Sequence, residues 1–254
     1  MFDFLIENKQ TLVAQKMNTI KFADGIGANI QADSTTTKTQ VSKADTEIKV
    51  KAIINTTNIL DSHKDVHLPN IWKKSLQENK RIMHLQEHQS NAFDKIIASG
   101  TDLKTYTETL TWKELGFKAE GTTQALVFES TVKKSRNAYM FEQYKNGFVD
   151  NHSVGMQYVK IAMAVNDKDY KEEKAVWDKY YDEIVNKEDA DSVGYFFAVT
   201  EAKVIEGSAV PLGSNPITPT LEIKEPSKDT QQIEAETSLR NTENVKEFLK
   251  TIKI

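Results

Sequence analysis

The chain of 254 residues contains no cysteine. Disulfides, thiolate nucleophiles and cysteine-ligated zinc are thereby excluded, and the lack fits a reducing compartment. Lysine and arginine form no block long enough to act as a basic arm. With a net charge of -4, there is no electrostatic case for nucleic acid. No apolar run approaches the roughly 20 residues that a membrane-spanning helix needs. The opening stretch MFDFLIENKQ is interrupted by Asp3 and Glu7 and has neither a basic region nor a small-residue cleavage site, so it does not read as a secretory signal. No internal repeat is visible. What is present, 39% hydrophobic and 28% charged residues, favours a globular core with polar additions.

Three regions follow from composition. Residues 1–47 read as an N-terminal extension: TLVAQKMNTIKF (11–22) as a short amphipathic helix, then a polar Thr/Ser-rich linker over 31–47. Residues 48–224 hold the core. Ile48, Val50, Ala52 and Ile54 alternate with period two, which predicts a strand. Pro69 and Asn70 open a helix that carries Ile71, Trp72, Ser75 and Leu76 on one side. Residues 81–87 read as a strand, and 95–121 with 124–132 as two or three more. RNAYMFEQYKNG (136–147) predicts a helix with Tyr139, Met140 and Tyr144 on a shared face and Gly147 just past its end. HSVGMQYVKIAMAV (152–165) is a strand.

Residues 166–191 form a highly charged helical insertion with Val176, Tyr180 and Ile184 in one row beside Trp177 and Tyr181. Residues 193–216 give one or two apolar strands. The polar stretch 225–254 reads as a flexible tail with a short helix at NVKEFLKTIKI. Strands do not alternate regularly with helices, which argues against a doubly wound sheet and for a mixed barrel or sandwich with helices around it.

Three readings compete for the histidines. HLQEH (84–88) matches a zinc-peptidase spacing in which His84 and His88 bind the metal and Glu87 activates water. That arrangement requires a helix, because on a strand the two histidines lie about 13 Å apart. DSHKDVH (61–67) also alternates Asp and His and reads as a polar turn. In the second reading a serine hydroxyl is activated by an imidazole that a carboxylate orients. Ser153 cannot readily use His152, since strand neighbours point to opposite faces. His88, placed after a strand and before a turn, is the better base, and Glu206 in KVIEGSAVP is the acid, next to the small residues Gly207 and Ser208. In the third reading these residues carry no chemistry.

The order of landmarks resembles the prohead maturation protease family of tailed bacteriophages, which shares its fold with the herpesvirus assemblins. The resemblance runs over about residues 48–218 through DSHKDVHLPNIWKKSL, IMHLQEH, YKNGFVDNHSVGMQY and EGSAVPLGSNP. It implies an α+β fold, a mostly antiparallel β-barrel core surrounded by helices, and a serine protease domain over 48–224. His88 matches the family histidine and Ser153 the family serine. Glu206 falls where the family often has an acidic residue, with Glu201 as the fallback.

The resemblance further implies cleavage of phage scaffold, of the propeptide arm of the major capsid protein and of the chain itself, without a cofactor. The setting would be the assembling prohead in the host cytoplasm. The polar segments 31–47 and 225–244 suit self-cleavage, and pairing of two copies is known among the relatives. The alternatives are a catalytically inactive scaffold or capsid-assembly protein and the zinc peptidase. Met156 departs from the family pattern, which places an aromatic after the glycine.

Overall fold

The alternation in the first strand sets the architecture. Ile48, Val50, Ala52 and Ile54 are all buried on one face of β1 (Glu47–Thr56), where they meet Phe128, Val154, Met156 and Val204 from other strands. In this computed structural model, residues 2–19, 46–79 and 81–224 are described. The remaining elements are α1 (Phe2–Glu7), α2 (Lys9–Asn18), β2 (Asp65–His67), α3 (Lys73–Glu78), β3 (Met83–Gln86), β4 (Ile96–Ser99), β5 (Leu103–Thr111), β6 (Thr122–Lys133), α4 (Ala138–Lys145), β7 (His152–Val165), α5 (Lys171–Tyr180), α6 (Lys187–Val193), β8 (Tyr195–Ala209) and β9 (Thr220–Lys224). The fold is mixed α/β, with two sheets.

One sheet has the order β5-β6-β1-β9 and is antiparallel throughout. The other is built on β8. One edge of β8 pairs antiparallel with β7; the other pairs parallel with β2 near its start and with β3 near its end, and β4 lies antiparallel beyond β3. The core lies between the sheets, with Met140, Phe141 and Tyr144 of α4 packed into it. No ladder closes the two sheets into a continuous barrel among the described residues. They are joined at one seam by chain continuity, because β4 runs through a single 3₁₀ turn, Gly100–Asp102, into β5. At another seam threonines do the work. The His152 N–H donates to Thr218 Oγ1 at 3.1 Å, Thr218 Oγ1 donates to the His152 carbonyl at 2.8 Å, and Thr220 Oγ1 donates to the Val149 carbonyl at 2.7 Å.

Near the start of β8, helices cover both faces of its sheet, because successive residues of β7 and β8 point opposite ways. Trp177 of α5, Ile184 and Ala190 of α6 pack on Ala164, Phe196 and Ala198. Leu5 of α1 packs on Met163, Val165 and Phe197. Four expectations are corrected here. The helix read over 166–191 is two helices separated by a 3₁₀ turn, Tyr181–Glu183. At the break the Val185 N–H leaves the helix pattern and donates to the Asn58 carbonyl at 2.8 Å, and beside it the Asn186 Oδ1 accepts the Leu60 N–H at 2.8 Å while its Nδ2 donates to the Leu60 carbonyl at 3.0 Å. In α4, Tyr139 is exposed and Phe141 takes the buried face with Met140 and Tyr144. Its ends follow expectation, with the Asn137 side chain capping the Met140 N–H at 2.9 Å and Gly147 at φ +69°. The helix expected from Pro69 begins at Lys73, because Asn70 takes a left-handed conformation.

The fourth correction concerns Asp61–His67, which is not a solvated turn. Asp61, Asp65 and His67 are buried. Asp61 Oδ1 accepts the N–H groups of His63 and Asp65 at 2.9 and 2.8 Å. Asp65 accepts the Tyr158 hydroxyl at 2.7 Å, and that hydroxyl bonds His67 Nε2 at 3.0 Å. The positive charge comes from α2: Lys16 ion-pairs with Asp65 and donates to the His63 carbonyl at 3.0 Å. Burial and the neighbouring Asp65 carboxylate push Asp61 up, to about 8. Of the other expected segments, most of the linker 31–47 and all of the tail 225–254 lie outside the described residues.

Removing one member of a buried ion pair strands the other without compensation. Lys16→Met should therefore destabilise the protein by about 3 kcal/mol in urea denaturation. The double variant Lys16→Met/Asp65→Asn should recover part of that loss.

Candidate active site

The end of β8 reads Glu206-Gly207-Ser208-Ala209, and strand alternation sends Gly207 one way and Glu206 and Ser208 the other. Gly207 faces the core, where a Cβ would collide with Phe128 and Ile54. On the opposite face the β7–β8 register sets Gly155 across from Glu206 and Ser153 across from Ser208. A Cβ on Gly155 would overlap the Glu206 carboxylate. The glycine is thus the space in which that carboxylate lies.

His88 arrives from the other side of β8. The parallel β3–β8 pairing runs to Gln86 opposite Ala209, and the Glu87 N–H continues it to the Ala209 carbonyl at 2.9 Å. Glu87 and His88 then adopt φ of +52° and +58°, a left-handed conformation that costs a non-glycine residue about 1–2 kcal/mol. This turn brings the imidazole back over the strand end. His88 Nδ1 lies 2.6 Å from Glu206 Oε1. Ser208 Oγ donates to Glu206 Oε2 at 2.6 Å and accepts the His88 backbone N–H at 3.0 Å. Both His88 and Glu206 are largely screened from solvent. A carboxylate only accepts, so the imidazole presents N–H at Nδ1 to Glu206; in the neutral ring the lone pair is then on Nε2.

Of the three residues expected to act together, His88 and Glu206 are in direct contact. Ser153 is buried on the adjacent strand, facing Ser208. Glu201, the fallback acid, is not part of this group. It pairs with Lys160 and lies 3.9 Å from Lys74, and the Lys160 bond holds it below the usual carboxylate range. Sequence reasoning missed Ser208 and the reason for Gly155. The available signal was E-x-S on a strand, which places a serine on the same face as the acid.

The remaining buried histidines belong to the interior. A hydrogen-bonded chain crosses the core, and its direction is fixed by a carbonyl at one end. His152 Nδ1–H donates to the Thr218 carbonyl at 2.8 Å, Tyr144 O–H donates to His152 Nε2 at 2.9 Å, His84 Nε2–H donates to Tyr144 at 3.1 Å, and Ser130 O–H donates to His84 Nδ1 at 2.8 Å. Along this path both imidazoles, His84 and His152, are neutral, in keeping with burial, which holds His84 well below its usual range and His152 down at about 4. The helix that a His84/Glu87/His88 zinc site needs is not formed. Met83–Gln86 is a strand, His84 points inward, and His88 turns over the other face. Asp61, His63 and Asp65 also bring ligand-type atoms within 4.8 Å of one another, and there Lys16 supplies the cation.

Three loops leave this end of the β8 sheet, after His88, before Ser153 and after Ser208. Each carries an exposed large apolar residue, respectively Phe93, Phe148 and Leu212. Comparison with protein-family models, with curated proteins and with solved structures finds no match to this chain.

Two outcomes follow. Gly155→Ala should leave the fold intact but push the Glu206 carboxylate off His88; a crystal structure of the variant would show the 2.6 Å contact broken. The second concerns pH. The unfolded chain protonates its histidines near 6.5, while the folded state keeps His84 and His152 neutral to lower pH. The unfolded state therefore binds more protons below about 6.5, and the stability from these groups, complete above that pH, is lost as pH falls toward about 4. Asp61 works in the opposite sense, costing stability as pH rises toward about 8. Urea midpoints at pH 7 and pH 5 in an Asp61→Asn background should isolate the histidine decline.

Proposed function

We propose that the chain is a serine endopeptidase of the prohead maturation type. The observation that carries this reading is the 2.6 Å contact between His88 Nδ1 and Glu206 Oε1, on the same sheet face as Ser153 and one strand away from it. Glu206 orients the imidazole and stabilises its cationic form. The Nε2 lone pair takes the Ser153 proton as Oγ attacks a peptide carbonyl, and the same nitrogen returns the proton to the departing amine. Water then enters, His88 deprotonates it, and the acyl-serine is hydrolysed. The two sheets, joined by the β4-to-β5 turn and by the Thr218 and Thr220 bonds, serve as the barrel-like core of that fold.

The substrates are extended segments of scaffold and of the major capsid protein inside the assembling prohead in the host cytoplasm, and the polar segments 31–47 and 225–244 of the chain itself. Phe93, Phe148 and Leu212 offer apolar contacts to such a segment. Two copies of the chain acting as a pair are part of the proposal by analogy with the assemblin relatives.

Incubation of the recombinant chain, followed by intact mass, tests the reading. Wild type should shorten and react at Ser153 with a fluorophosphonate. Ser153→Ala should do neither. Glu206→Gln should lower kcat by about 10³–10⁴. If wild type and Ser153→Ala both stay whole and unlabelled, the protease reading fails and a role in capsid assembly takes its place.

A further inference from the structure

Ser208 stands at the junction of the His88–Glu206 pair, and its hydrogen bonds leave its hydroxyl little freedom. A backbone N–H can only donate and a carboxylate can only accept. With the His88 N–H at 3.0 Å and Glu206 Oε2 at 2.6 Å, the Ser208 oxygen must accept the first and its proton must go to the second. The result is a closed ring of contacts, from the His88 backbone to Ser208, on to Glu206, and back to the His88 imidazole at 2.6 Å. Ser208 is fully buried, and its only hydroxyl proton is committed to Glu206. It is therefore not an alternative nucleophile to Ser153, although the two face each other across β7 and β8.

We propose that Ser208 is a positioning residue that locks both the carboxylate and the left-handed turn carrying the imidazole, so that Oε1 alone faces His88. This rests on the protease reading for its catalytic meaning, but the lock itself is a property of the resting protein. Two constraints make the assignment specific. The Glu206 carboxylate has two equivalent oxygens and a flexible stem, and among the described residues Ser208 is the donor that holds Oε2 against rotation away from the ring. The His88 backbone sits at φ +58°, and its N–H would lose its partner if the hydroxyl were removed. A displacement of about 1 Å in such a group costs about 10²-fold in rate.

The test uses the full-length protein and two readouts. In Ser208→Ala, kcat on a peptide substrate should fall about 10²-fold with KM changed less than about twofold, because the residue does not touch substrate. Independently of any activity, the His88 Nδ1–H proton should give a downfield NMR resonance in wild type. That resonance should be lost to solvent exchange in Ser208→Ala.

The pair Ser208→Thr and Ser208→Val holds shape constant while removing the hydroxyl. Thr should keep the resonance and Val should lose it, which decides the matter even if Ser208→Ala folds poorly. A resonance that survives in both Ala and Val would overturn the proposal. Failure of the protease reading is a separate result, seen as an inactive wild type that still shows the resonance and its dependence on the hydroxyl.

Discussion

Gly155 faces Glu206 and Ser153 faces Ser208 because β7 and β8 pair in one antiparallel register, and most of the molecule is arranged around that pairing. β8 has more partners than any other described strand of its sheet, meeting β2, β3 and β7 along its length. A slip of one residue would turn every side chain of β7 to the other face. Val154 would leave the core and Ser153 would enter it. A bulge between Gly155 and Met156 marks where the local geometry departs from a regular ladder, directly beside the carboxylate.

The same alternation separates two polar systems that share neighbouring residues. Ser153 belongs to the outer face and His152 to the interior; His84 belongs to the interior and His88, beyond the strand end, to the outer face. The interior system is a closed hydrogen-bonded chain from Ser130 to Thr218 in which each donor has an acceptor. Satisfied in this way, buried polar groups rigidify a core instead of weakening it. The outer system is smaller and tenser. It combines a left-handed histidine, a carboxylate held over a glycine and a hydroxyl with a fixed proton. Backbone strain of this kind clusters where chemistry is done, and here it coincides with the residues that the order of sequence motifs picked out.

Local patterns in the sequence were legible where local forces decide. The alternation of Ile48 to Ile54 became a strand, and Asn137 and Gly147 bounded α4 as side-chain capping and left-handed geometry require. Legibility failed where a distant partner decides. Tyr139 fits the periodicity as well as Phe141, and only packing on the sheet selects between them. The helix expected over 166–191 is broken where the Val185 backbone bonds Asn58 and the Asn186 side chain bonds Leu60, 126 residues away. The burial of Asp61 and Asp65 depends on a lysine in α2 that no local pattern announces. For the candidate site, His88 and Glu206 are 118 residues apart, and nothing near either residue encodes the other. The order of motifs pointed to both, while Ser208, lying within one of those motifs, went unread.

The docking of α2 has a consequence for synthesis. This helix contributes no buried residue of its own and is too short to persist alone in water. Its anchors include Glu173 through Lys9, Asp65 through Lys16 and, with the Lys16 ammonium over the ring, Phe197. At about 5–20 residues per second, Phe197 leaves the ribosome roughly ten to forty seconds after Lys16. The first segment made is thus among the last to find its place, and during that interval the nascent chain carries the cation without the enclosed acid site that β7 and β8 complete.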